Sequence, residues 1–153
     1  MKLRIPIILL MLLFIIIGSM QLFAQILKPV KWSYASKRTG KDEGVIFIKA
    51  NIETGWHIYS QFVKGDGPLP TSFKFQPSAD YELIGEVSEP KAITRFEKAF
   101  GINVSYFEQS VIFQQKCKLK SAHPVVKGSL EYMTCNDQKC LPPDDVDFSI
   151  TMK

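Results

Sequence analysis

The run VIFQQKCKL, residues 111–119, decides how this chain folds. Val111, Phe113, Cys117 and Leu119 fall on alternate positions, with Gln114, Lys116 and Lys118 among the residues between them and Gln115 as the exception on the apolar side. A period of two puts one set of side chains on one face of a β-strand and the other set on the opposite face. Cys117 is therefore expected to be a small buried hydrophobe, a common role for a free cysteine.

The same kind of run recurs on both sides of this stretch. Gly44–Ile52 is apolar and β-branched, bounded by Lys41-Asp42-Glu43 and Thr54-Gly55, and Trp56–Tyr59 follows the glycine. Trp32 and Tyr34 alternate upstream, and Ser72–Phe75, Tyr81–Val87, Val104–Phe107, Val125–Thr134 and Val146–Met152 complete the set. Lys64–Pro70 contains two glycines and two prolines and reads as an irregular connection. Only Lys91–Ala99 has a weak helical look. About seven to nine short strands with turns at this spacing predict an all-β fold, an immunoglobulin-like antiparallel β-sandwich, with a small barrel as the alternative.

Alternation also places the other two cysteines. Val126, Leu130 and Tyr132 share the apolar face of their run, so Cys135, in phase with Lys127, Ser129 and Glu131, is expected on the solvent side. A turn at Ser121–Pro124 predicts a hairpin that sets Cys117 near Gly128, away from Cys135. Cys135 and Cys140 are left as partners.

Three chemistries fit a cysteine pair. Zinc takes four ligands, usually from two clustered pairs, whereas here one Cys-x4-Cys stands alone and His57 and His123 lack ligand spacing; no metal is expected. A static staple is the default for a small exported domain, yet so short a loop contributes only about 2 kcal/mol. A redox pair needs sulfurs that a partner's thiolate can reach. The polar turn Asn136–Lys139 is expected to expose both sulfurs at a sheet edge, and Asp137 and Lys139 to tilt their ionisation in opposite directions. Pro142 and Pro143 leave that edge without donors. The residues by themselves leave staple and redox pair evenly matched.

The N-terminus bears on where the chain works. Lys2 and Arg4 precede an apolar run from Ile5 to Ile17, and the segment closes on Ala24. This is the pattern of a secretory signal peptide over residues 1–24, with residues 25–153 as the exported domain; an uncleaved anchor is the alternative. Export puts the cysteines where disulfides persist. The whole chain carries 19 Lys and Arg against 15 Asp and Glu, a formal net charge of +4 that drops by two with the signal. That balance gives no nucleic-acid footprint. No glycine-rich phosphate loop appears, and no cofactor is expected.

The segment Tyr132-Met-Thr-Cys135-Asn-Asp-Gln-Lys-Cys140-Leu-Pro-Pro143 resembles the active-site segment of the N-terminal periplasmic domain of the transmembrane thiol–disulfide interchange protein DsbD. Thr54-Gly-Trp-His-Ile-Tyr59 and Arg95-Phe-Glu-Lys-Ala-Phe-Gly101 are similar to two further segments of that family, in the same order. The resemblance covers most of residues 30–152 and implies an immunoglobulin-like fold. It implies a carrier, of protein-disulfide reductase type, that takes electrons from a membrane thiol reductase. The acceptors would be periplasmic thioredoxin-like proteins, including disulfide isomerases and cytochrome c maturation factors.

By position, Cys135 and Cys140 would be the redox pair, with Cys140 the attacking sulfur and Cys135 the resolving one. Phe96–Gly101 would match a cap loop, with Phe100 its aromatic lid and Phe96 the second candidate. His57 and Tyr59 match aromatic positions beside the pair, and Glu97 an acidic one. The chain departs from the family pattern in three ways. Its cysteine spacing is one residue shorter, a histidine stands at position 57 where a phenol is common, and Cys117 is an extra thiol. With no membrane or thioredoxin domain within these residues, donor and acceptor are expected to be other polypeptides. The competing expectation is an exported β-sandwich that binds another protein and holds Cys135–Cys140 as a fixed bridge.

Overall fold

A computed structural model describes residues 27–65, 67–98 and 100–153; residues 1–24, expected to be a signal peptide, lie outside them. The described chain is made of strands: β1 (Val30–Arg38), β2 (Glu43–Ile52), β3 (His57–Tyr59), β4 (Ser72–Phe75), β5 (Tyr81–Ser88), β6 (Ile93–Glu97), β7 (Ile102–Glu108), β8 (Ser110–Leu119), β9 (Val125–Tyr132), β10 (Thr134–Cys135) and β11 (Asp144–Thr151). No helix is present among the described residues. The fold is an antiparallel, immunoglobulin-like β-sandwich, as the alternation predicts.

One sheet has the order β1-β2-β8-β5 and a second the order β11-β9-β4. Their apolar faces meet in a single core that includes Ile46, Ile48, Phe113, Cys117, Val126, Leu130 and Phe148. Phe113 and Cys117 are fully buried. Burying one large apolar side chain contributes about 1.5–3 kcal/mol, so this strip of alternating residues supplies much of the driving force. On one side the layers are tied by the Ser36 hydroxyl, which donates to the Thr151 carbonyl at 2.8 Å.

Gln115, the break in the apolar pattern, is also buried. Its amide donates to the carbonyls of Ile84 (3.1 Å), Gly85 (3.3 Å) and Lys116 (2.8 Å). The β5–β8 ladder is irregular between Ile84 and Ser88, and Gly85 has φ +66°. The side-chain amide satisfies carbonyls that the interrupted ladder leaves unpaired.

The third sheet, β10-β3-β7-β6, carries the cysteine pair. Two of its strands continue strands of the sandwich. β7 runs into β8 through Gln109, the one non-glycine residue with positive φ (60°) among those described, and the Gln109 carbonyl accepts from Ile52 N–H at 2.7 Å. β9 runs into β10 across Met133.

Three expectations are corrected. Lys91–Ala99 contains strand β6, which pairs with β7 as a hairpin. β8 and β9 do not pair: β8 already has β2 and β5 on its two edges, so the chain after Leu119 crosses to the other layer. Cys117 accordingly lies opposite Gly44 and Leu83 rather than Gly128. Cys135 is buried, 2% exposed, because the chain changes sheets at Met133 and the alternation of β9 does not carry through.

Candidate redox site

Cys135 and Cys140 form a disulfide with a Cα–Cα distance of 4.0 Å. They face each other as an isolated antiparallel pair at the base of the loop Asn136–Lys139. Backbone bonds bracket them, from Asn136 N–H to the Lys139 carbonyl and from Leu141 N–H to the Thr134 carbonyl, both 2.9 Å. Inside the loop the Asn136 side-chain oxygen accepts from Gln138 N–H (2.9 Å) and Lys139 N–H (2.8 Å). Asn is suited to this because its short side chain imitates a backbone turn. The loop is thus held by its own hydrogen bonds as well as by the sulfur bridge.

The two sulfur-bearing residues differ sharply in environment. Cys135 packs with Tyr59, Val104 and Tyr106 in a small second core. Cys140 is exposed. The expected exposure of both residues therefore holds for Cys140 alone. Cys140 and Leu141 form the outer rim of the sheet, and Pro142 and Pro143, both exposed, offer no N–H beyond it. A recess of about 400 Å³ opens beside the rim, lined by Leu27, Tyr132, Thr134, Leu141 and the two prolines.

β3 brings His57 and Tyr59 under the pair. His57 is the register partner of Cys135, and the Thr134 hydroxyl donates to the His57 carbonyl at 2.9 Å. His57 Nε2 and the Tyr59 hydroxyl are 3.1 Å apart, with the rings edge to face at 5.2 Å. Tyr106 from β7 stacks against His57 at 5.0 Å. Desolvation lowers the His57 pKa, against a raising influence of Glu97. Burial pushes the Tyr59 hydroxyl up to about 12, so it remains a phenol.

The β6–β7 hairpin covers the other side of this cluster. Phe100, partly buried, meets Tyr59 edge to face at 6.5 Å, while Phe96 is 57% exposed on the edge strand. The turn closes through Phe100 N–H (3.2 Å) and Gly101 N–H (2.8 Å) to the Glu97 carbonyl, with Gly101 at φ +67°. Of the two phenylalanines, Phe100 is the one that joins the site aromatics.

Arg95 and Tyr106 belong to the same constellation and were not singled out from sequence. The Arg95 guanidinium sits 4.9 Å over the Tyr106 ring, 3.9 Å from Glu97 and 4.0 Å from Asp137 of the cysteine loop. The i, i+2 spacing of Arg95 and Glu97 signals a shared strand face once the segment is read as β rather than helix. Nothing local ties Arg95 to Asp137. Among the described residues no group of three or more His, Cys, Asp or Glu is placed to hold a metal.

The chain is similar to several solved structures. The N-terminal domain of DsbD from Neisseria meningitidis in the reduced form is 18% identical, with a TM-score of 0.55 over 82% of this chain and 90% of that one. The N-terminal periplasmic domain of ScsB from Proteus mirabilis is 16% identical, with a TM-score of 0.58 over 82% and 47%. A structure of the complex between the DsbD and PilB N-terminal domains from Neisseria meningitidis matches at 18% identity and a TM-score of 0.52, over 82% and 87%. These likenesses establish the shared fold. No curated protein matches the chain. The family model for the N-terminal domain of the thiol:disulfide interchange protein DsbD matches residues 24–151. The two site cysteines are joined as a disulfide, and the chain belongs to that DsbD N-terminal family, a placement that supports thiol–disulfide exchange in general terms.

Proposed function

We propose that this protein is an exported carrier of reducing equivalents that works by thiol–disulfide exchange through Cys135 and Cys140. Residues 1–24 act as a secretory signal and deliver residues 25–153 to the periplasm. A membrane thiol reductase reduces the pair. Reduced Cys140, as thiolate, attacks the disulfide of a periplasmic thioredoxin-like acceptor; Cys135 then attacks Cys140 and releases the reduced acceptor. The sulfurs themselves carry the two electrons.

The observation that carries this reading is the asymmetry of the pair in a chain of this family: Cys140 is exposed on a rim and Cys135 is buried behind it. An attacking thiolate needs access, whereas a resolving thiol need only reach its neighbour. The recess lined by Leu141 and the two prolines, the residues that follow Cys140 in the chain, offers a largely apolar surface on which a partner could dock. Complex formation by a related DsbD domain with a PilB domain supports docking to another protein's domain. Phe100 is assigned as the lid over the site aromatics, Phe96 as an exposed contact on the same hairpin, and Glu97 as a modulator of ionisation. His57 and Tyr59 form the floor.

Trapping tests the reading. A Cys135→Ala variant expressed in cells is expected to accumulate mixed disulfides through Cys140, and a Cys140→Ala variant to accumulate far fewer. If neither variant captures a partner, Cys135–Cys140 is a structural bridge and the carrier role is wrong.

A further inference from the structure

The site sheet lines up a row of side chains that the electron-carrying role does not by itself require. Glu108, His57 and Cys135 are successive register partners across β7, β3 and β10, and Cys140 extends the row at the rim. Directly opposed residues in an antiparallel ladder place their side chains on one face, with Cβ atoms about 4.5–5.5 Å apart. An imidazole thus neighbours Cys135, with a carboxylate-bearing residue on its far side. His57 is 4% exposed, and its orientation is fixed by the Tyr59 hydroxyl at Nε2 and by Tyr106.

The groups facing His57 come from every neighbouring element. Tyr59 lies on its own strand, Cys135 on β10, Tyr106 and Glu108 on β7, Arg95 and Glu97 on β6, and Asp137 in the cysteine loop. Glu97, Glu108 and Asp137 favour the imidazolium, Arg95 opposes it, and desolvation outweighs each of them. The ring is therefore neutral near pH 7 and able to take up a proton.

Cys135 needs such an acceptor. Burial disfavours a thiolate, yet only the thiolate attacks a disulfide. Resting on the exchange role above, we propose that His57 accepts the proton of Cys135 in the resolving step. In the mixed disulfide the Cys135 thiol passes its proton to the imidazole, and the thiolate attacks Cys140 Sγ. The Cys135–Cys140 bond forms as the bond from Cys140 to the partner sulfur breaks. Two electrons leave with the partner sulfur, which takes the proton back from the imidazolium and restores neutral His57.

The test uses the reduced protein and oxidised glutathione as the probe, from about pH 5 to about pH 9, with acid quenching and mass spectrometry. Capture of glutathione and its later release are separate steps. Wild-type release is expected to rise through an inflection below pH 6.5 and then level off. His57→Gln keeps an amide near Tyr59 but no base. Its release at pH 7 should fall about tenfold or more, since general-base help is worth roughly 10²–10⁴ in rate. Its profile should lose the inflection below pH 6.5 and keep climbing with pH. Any change in capture should be much smaller than the fall in release. His57→Phe, which keeps an aromatic ring, should behave alike.

Unchanged release rates and pH profile in a folded variant overturn the proposal while leaving exchange intact. Should both variants misfold, a wild-type release profile without an inflection below pH 6.5 overturns it equally. Failure of the wild-type protein to capture glutathione at all would instead sink the carrier role.

Discussion

Arg95 on the β6–β7 hairpin reaches to 4.0 Å from Asp137 in the loop between the two cysteines, across the intervening strands β7 and β3. The contact ties the covering hairpin to the segment that bears the reactive pair. It is also wet: the side chains are 44% and 91% exposed. Exposed ion pairs typically contribute about 0–1 kcal/mol. Asp137→Asn should therefore leave the unfolding free energy within about 0.5 kcal/mol of wild type. Arg95→Ala also removes the contact over Tyr106 and should cost about 1 kcal/mol. Urea unfolding of the two variants checks this, and a larger loss in Asp137→Asn than in Arg95→Ala would contradict it.

Burial of His57 sets a pH dependence whose sign is determined. Its pKa in the fold is below the ordinary 6.5, so the folded state binds fewer protons there than the unfolded chain. The associated stability is whole above pH 6.5 and is lost as pH falls through the folded value. Carboxylates also titrate in acid, so the readout is a difference. His57→Gln should lose less stability than wild type between pH 7 and pH 5 in parallel denaturant titrations. Equal losses would mean that His57 ionises in the fold as it does in the unfolded chain.

Cys117 is a bystander to the redox chemistry. It is fully buried opposite Gly44 and Leu83, and desolvation pushes its thiol up to about 11. At neutral pH it offers neither thiolate nor access. After mild reduction, iodoacetamide should modify Cys140 first, Cys135 more slowly and Cys117 only in denaturant, as mapped by peptide mass spectrometry. Labelling of Cys117 at the rate of Cys140 in the folded protein would contradict this placement.

Gly128 sits where neighbouring strands leave no room for a side chain. On β9 it faces Phe75 of β4 and Phe148 of β11, and a Cβ there would press on the Lys74 carbonyl and the Phe148 ring. Gly128→Ala should destabilise by about 1–3 kcal/mol, the usual range for overpacking. A urea midpoint equal to that of wild type would show that the layers yield more easily than their packing indicates.

The sandwich was legible because its strands are long and half-buried. Val111–Leu119 buries alternate residues along its length, and Gly44–Ile52 and Val125–Tyr132 do nearly the same. The failures cluster where a strand changes sheets or where pairing is remote. Period-two counting through Tyr132 assigns Cys135 to solvent because the change of sheet at Met133 has no local signature. The short run Ile93–Glu97 has mostly exposed side chains on an edge strand, so its sequence lacks the apolar alternation that marks a half-buried strand. The residues of the site came mainly from the resemblance to a family. Arg95 and Tyr106 escaped it because their roles depend on a hairpin register and on a loop that folds over it.

An exchange-active Cys135–Cys140 pair and a structural bridge differ in equilibrium potential. Equilibration of the protein with thiol–disulfide buffers of defined ratio, read by alkylation and mass, gives the value. The expected potential lies in the range of known oxidoreductases, about −270 to −120 mV. A value below about −300 mV, where structural disulfides of secreted proteins lie, would contradict it.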